Sequence, residues 1–217
     1  MTQKLPLFPL NTVLFPGAPL PLHIFEERYK LMIGRCMEQQ TPFGVVLIRE
    51  AGRADTDPSV TYHQIGTVAQ IGEAVKLEDG RYYLVATGER RFRVQYLVQR
   101  APYLVASVAL LPEEASVPAL GAAEELRDLY TRYWNALCAS TGYPREAEPL
   151  PQNVVDMTHW MAHRLQVEVA RKQRWLEADV ATRLREMAAA LRGELALLPT
   201  GDSNPPQRSW VGPGSWN

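Results

Sequence analysis

The sequence predicts an α+β fold, a small and partly closed β-barrel lobe with one helix, followed by a helical bundle. Three observations lead there. The first 111 of the 217 residues alternate short apolar runs with turn residues. One stretch among them, from Phe25 to Gln39, instead places its apolar side chains at helical spacing. After Pro112 the strand signals give way to amphipathic helical stripes. These shifts divide the chain into a barrel lobe over 1–112, a helical lobe over 113–198 and a flexible tail over 199–217.

In chain order, Leu5 to Leu10, Val13 to Phe15 and Leu20 to Ile24 are short apolar runs with five prolines within and between them. Proline lacks a backbone N–H and is excluded from sheet interiors, so these runs read as edge strands broken by tight turns. Phe25, Tyr29, Met32, Ile33, Cys36 and Met37 mark the helix, with Glu26 and Glu27 in its first turn, where negative charge suits the dipole. Residues 51–58 read as an exposed loop, and Asp79-Gly80 between two apolar runs as a hairpin turn with positive φ at both positions. Leu126, Leu129, Tyr130, Tyr133 and Leu137 form one helical stripe, Val154 to Leu165 a second, and Val180 to Leu198 a third, with a Pro-rich connection over 141–151. Stripes that repeat in this way pack on one another. The tail holds Trp210 and Trp216 among Gly, Pro, Ser and Asn; it builds no core, and its indoles suit docking into a groove.

A net charge of −1 provides no general attraction to nucleic acid or anionic membranes. Cys36 and Cys138 each fall on the apolar face of a helix and read as buried, reduced thiols. No apolar run approaches the ~20 residues of a membrane span, and prolines interrupt any secretory leader, so a cytoplasmic location is expected.

Five groups of residues, in order, resemble the substrate-binding N-terminal domain of the Lon protease family: Leu5-Pro6-Leu7-Phe8-Pro9-Leu10 with Phe15-Pro16-Gly17 and Leu22-His23-Ile24-Phe25-Glu26-Glu27-Arg28-Tyr29; Phe43-Gly44-Val45-Val46; Ile65 to Ala69; Asp79-Gly80-Arg81 with Gly88 to Phe92; and Lys172 to Glu177 with Arg183-Leu184. The likeness runs from about Lys4 to Leu198. It implies a PUA-like pseudo-barrel and a helical half. A complete Lon protease adds an ATPase module and a Ser-Lys protease domain, and a phosphate loop would need a Gly-Lys pair that this sequence lacks. The chain therefore reads as a free-standing recognition domain, with no enzymatic activity, catalytic residue, cofactor or metal expected.

His159 and His163 stand four apart on the middle helix, a spacing that suits a metal, but no Glu follows the first and no third ligand is evident; a solvent-facing pair is expected. Paired carboxylates, or a nucleophile set against a base, are not discernible. The function that follows is a polypeptide-binding module for exposed apolar segments of other proteins, an adaptor or regulator of proteolysis working with an ATP-dependent protease. Phe15, Leu20, Phe25, Tyr29 and Met32 are the candidate binding residues, with Arg28 as a polar anchor at the rim. The alternative is an RNA-binding PUA-like module that uses Arg81, Arg90, Arg91 and Arg93, although nearby Glu73, Glu78 and Glu89 dilute that charge.

Overall fold

The computed structural model describes residues 2–49, 61–141 and 148–198; the expected loop over 51–58, most of the connection over 141–151 and the tail lie outside them. The first lobe holds six strands: β1 (Thr2–Leu10), β2 (Pro19–Ile24), β3 (Phe43–Leu47), β4 (Ile65–Lys76), β5 (Tyr82–Gln99) and β6 (Leu104–Leu110). Helix α1 (Glu27–Gln39) joins β2 to β3. The sheet order is β2-β5-β4-β3-β1-β6, and a further pairing of β5 with β6 closes five of the strands on themselves. Closure is irregular: β5 carries register shifts against both β4 and β6, and β2 stays outside the ring. A pseudo-barrel results, not a regular barrel.

The prolines are placed by their missing N–H groups, though not wholly as edges. β2 is an edge strand, with Pro19 and Pro21, but β1 lies between β3 and β6. It tolerates Pro6 and Pro9 because it pairs with β6 only up to Leu7 and with β3 only from Leu7 onward, so each proline has one neighbouring strand. Leu5, Leu7, Val46, Val68, Phe92, Val94, Ala106 and Val108 fill the barrel. They fill it so tightly that a Cβ on Gly66 would come within 2.2 Å of the Val45 carbonyl oxygen. The β4–β5 hairpin differs from the expected two-residue turn: Leu77 donates its N–H to the Arg81 carbonyl over a three-residue loop, and only Gly80 has positive φ, at 80°.

Beyond the barrel, α2 (Val117–Thr141), α3 (Val154–Arg164), α4 (Val169–Glu177) and α5 (Val180–Leu197) form the helical lobe. Asn153 caps α3 by accepting from the N–H groups of Val155 and Asp156, and Asp179 caps α5 by accepting from Thr182. One continuous apolar cluster runs from Tyr29, Met32 and Ile33 of α1 through Phe15 to Leu126, Met157, Met161, Trp175 and Leu191. The two lobes therefore share a core. Polar ties reinforce the joint: the Gln173 amide donates to the Ile65 carbonyl at 3.0 Å, and Arg91 of β5 donates to the carbonyl oxygens of Leu176 and Ala178.

Candidate functional site

The six residues expected to bind polypeptide are not presented together. Phe15 and Met32 are fully buried and Tyr29 is 6% exposed. The cause is the helix phase: Tyr29, Met32, Ile33 and Cys36 make the inward face of α1, and Tyr29 packs its ring 4.2 Å from that of Phe8. Phe25 escapes because α1 begins at Glu27 with Glu26 as its N-cap residue, so Phe25 precedes the helix and does not share its face. It is 61% exposed. Leu20 is half-buried against the core. Arg28, on the rim, is held by an ion pair to Glu26 at 2.8 Å and lies 4.6 Å over the Tyr29 ring.

Around Phe25 the structure builds an exposed apolar surface that the sequence did not single out. The Gly88 N–H donates to the Ala18 carbonyl, which sets the phase of the β2–β5 ladder so that Pro19, Pro21 and His23 fall at positions that do not hydrogen-bond to β5. The proline nitrogens thus face the open edge, which lacks donors there, and this blunts strand addition. At the same positions side chains approach closely across the pair. His23 stacks on Tyr83 at 4.4 Å and 9°, and its ring lies 5.7 Å from that of Phe25. Val75 of β4 sits opposite Tyr83. With Val75 61% and Tyr83 50% exposed, and Val85 and Pro21 beside them, three strands offer one aromatic and aliphatic face.

Two depressions shape this face. One, of about 450 Å³, runs over Pro21, Leu22, His23, Ala74, Val75, Tyr83 and Val85, and among the described residues Glu73 is the only carboxylate in its lining. The other, of about 260 Å³, is a cleft between the end of β1 and the start of α1, with Phe8, Ile24 and Tyr29 in its walls and Phe25 beside them. Leu22 and His23 line both and join them. Nearby charges are internally paired, Glu26 with Arg28, Glu27 with Lys30 at 2.5 Å and Asp79 with Arg81 at 2.6 Å. The face is thus almost free of unbalanced charge. Its sequence signal was the run Tyr82-Tyr83-Leu84-Val85, apolar on both strand faces where a strand buried on one side alternates with polar residues.

The arginine group does not assemble. Arg91 is buried and spent on the lobe joint, and Arg81 is bound to Asp79 at the hairpin. Arg93 is a dozen strand residues from Arg81, about 40 Å along an extended chain. Arg90 and Arg93 are exposed.

His159 corrects the expected solvent-facing pair, for it is 1% exposed. It belongs to a buried ionic cluster centred on Glu113, whose carboxylate lies 2.7 Å from His159 Nε2, 2.7 Å from Arg91 Nε and 2.8 Å from Arg183 Nη2. Arg183 also donates to the carbonyls of Trp175 and Ala178 and to Thr158 Oγ1. Burial alone raises the Glu113 pKa, but the His159 hydrogen bond and the Arg183 guanidinium outweigh it and hold the carboxyl at about 2. Burial pushes His159 below the usual imidazole range, only partly offset by Glu113. The charges pair with one another across β5, α3 and α5, although His159 Nδ1 is buried without a hydrogen-bond partner, so the cluster ties lobes together. Among the described residues no group of three His, Cys, Asp or Glu side chains could hold a metal ion, and no helix is long and apolar enough to cross a membrane.

A family model for the ATP-dependent protease La (LON) substrate-binding domain matches residues 4–192. Among curated relatives, Lon protease 2 of Herpetosiphon aurantiacus is 29% identical over 203 residues, covering 91% of this chain and 24% of that protein. Lon protease 2 of Myxococcus xanthus is 39% identical over 115 residues, covering 52% of this chain and 14% of that protein. The chain thus spans a quarter or less of the length of these relatives. Among solved structures, a Lon N-terminal domain protein from Xanthomonas campestris is 26% identical with a TM-score of 0.59, covering 86% of this chain and 98% of that one. The N-terminal domain of Mycobacterium avium complex Lon protease, 17% identical with a TM-score of 0.65 over 88% of this chain and 98% of that one, shares the fold.

Proposed function

The chain belongs to the substrate-binding domain family of ATP-dependent protease La, and from that premise we propose that it is a non-catalytic module that captures exposed apolar segments of other proteins for an ATP-dependent protease. One observation carries this reading: the exposed aromatic and aliphatic face of Phe25, His23, Tyr83, Val75 and Val85. Desolvating such a face supplies affinity without directional contacts, at about 1.5–3 kcal/mol for each large apolar side chain fully covered. The proline-blunted edge of β2 weakens backbone pairing as a source of affinity, so recognition rests mainly on side-chain burial and tolerates many sequences. The boundaries at 112/113 and 198/199 belong to the same reading, with the barrel lobe presenting the face and the helical lobe bracing it. Of the residues singled out first, Phe25 and Arg28 stay in the binding surface, Leu20 is half-buried against the core, and Phe15, Tyr29 and Met32 are core residues.

Capture of a reduced and alkylated, permanently unfolded protein by the full chain tests this. Phe25→Ala with Tyr83→Ala should weaken capture at least several-fold, and RNA should not compete at physiological salt. Unchanged capture by the folded double variant refutes the assignment of this face. Competition by RNA that disappears in Arg90→Ala with Arg93→Ala would replace the polypeptide reading with the nucleic-acid one.

A further inference from the structure

A second aromatic cavity, of about 270 Å³, opens on the helical lobe between α2 and α3, away from the barrel face. Tyr130, Tyr133 and Trp134 come from α2 and Trp160 from α3, with Arg164 and Glu148 at the rim. The Tyr130 and Trp160 rings meet edge-on at 5.7 Å and 77°, and the Arg164 guanidinium lies 3.8 Å over Trp160, held by Glu148 at 2.5 Å. At this volume the cavity falls below the ~300–1,000 Å³ of small-molecule sites and suits one large side chain. Its aromatic walls match a flat, apolar ring, and the Glu148 carboxylate offers an acceptor to a ring N–H at the mouth.

The chain itself carries such a side chain a dozen residues after Leu198. Helix α5, which ends at Leu197, packs along α2, the helix that supplies three of the cavity's rings, and Arg192 near its end pairs with Glu125 of α2. From Leu198 the dozen residues to Trp210 reach about 40 Å when extended, ample to return to α2 and α3. Segment 199–217 has two indoles, Trp210 and Trp216, and few other large apolar residues that could compete for the site. We propose that segment 199–217 docks onto its own helical lobe by seating one of these indoles in the Tyr130–Tyr133–Trp134–Trp160 cavity.

Fluorine NMR of the full chain labelled with 5-fluorotryptophan tests the proposal, each of the five tryptophans being assigned by its Trp→Phe variant. One resonance of Trp210 or Trp216 should be displaced from its position in the free synthetic segment 199–217. Removing that indole by Trp→Ala should shift the Trp160 or Trp134 resonance in return, a readout that does not depend on altering the helices. Tyr133→Ser should release the displaced resonance while the thermal midpoint stays in place. The proposal fails if both segment resonances coincide with those of the free peptide. It also fails if their displacement fades on dilution, which would assign the cavity to a second copy of the chain.

Discussion

The β2–β5–β4 face and the Glu113 cluster invert the usual distribution of polarity in opposite senses. One leaves Phe25, Val75 and Tyr83 in water, and the other buries Arg91, Arg183, Glu113 and His159 between two lobes. Only the first is unfinished. Each charge in the cluster has a partner within the chain, so burial is compensated and little is left to offer a ligand. The exposed rings have partners only among themselves and gain free energy when something else covers them. Buried charge here signals architecture, and exposed apolar surface marks the face proposed to bind.

The largest effect that could break this contrast comes from the cluster. Glu113→Ala leaves two buried guanidinium groups without their shared carboxylate, and should cost about 3–5 kcal/mol in urea unfolding, or prevent folding. A loss below about 1 kcal/mol would mean that water reaches the joint and that the cluster is open to ligands.

Acid should expose the same dependence. Glu113 lies at about 2 in the folded chain against an ordinary 4.5, so its contribution is complete above pH 4.5 and is lost as the pH falls toward 2. That difference amounts to on the order of 3 kcal/mol. His159 is depressed below 6.5, so the unfolded chain takes up its proton first and stability begins to decline below that pH. Unfolding free energy should therefore be level near neutrality and fall in two stages on acidification. His159→Gln should shrink the upper stage, leaving the share of His163, which burial also depresses, and should change the lower stage because Glu113 loses its imidazole partner; a stability that rises between pH 6.5 and 4 contradicts the arrangement.

The subtlest comparison sets two tyrosines against each other. Tyr29→Ala empties a core position and should lose about 3 kcal/mol, whereas Tyr83→Ala should stay within about 0.5 kcal/mol of the parent. Capture should respond in the reverse order, with Tyr83→Ala weakening it several-fold by itself. Equal stability losses would place Tyr83 in the core and remove it from the binding face.

Much of the fold was legible in local pattern. Pro19 and Pro21 marked β2 as an edge, the stripe Tyr29, Met32, Ile33 and Cys36 marked α1, and the motifs from Leu5 to Leu184 identified the family. Local pattern failed wherever the answer depended on a distant partner. Pro6 and Pro9 looked like edge residues, yet β1 exchanges one neighbour for another at Leu7. Glu113 follows a proline in what reads as a linker, and His159 shares a helix with a second histidine; neither segment contains any trace of Arg91 or Arg183.

What the sequence determined by itself was most of the order and type of the elements, though Val13 to Phe15 forms no strand and α4 was not read, and the family they build, because strand alternation, helix period and turn chemistry act between residues near in the chain. Tertiary structure decided which face of each element meets water. That choice turned Tyr29 and His159 inward and left Phe25 and Tyr83 outside. It is made by packing between residues tens of positions apart, where burial and partner charges set the free energy and local periodicity has no influence.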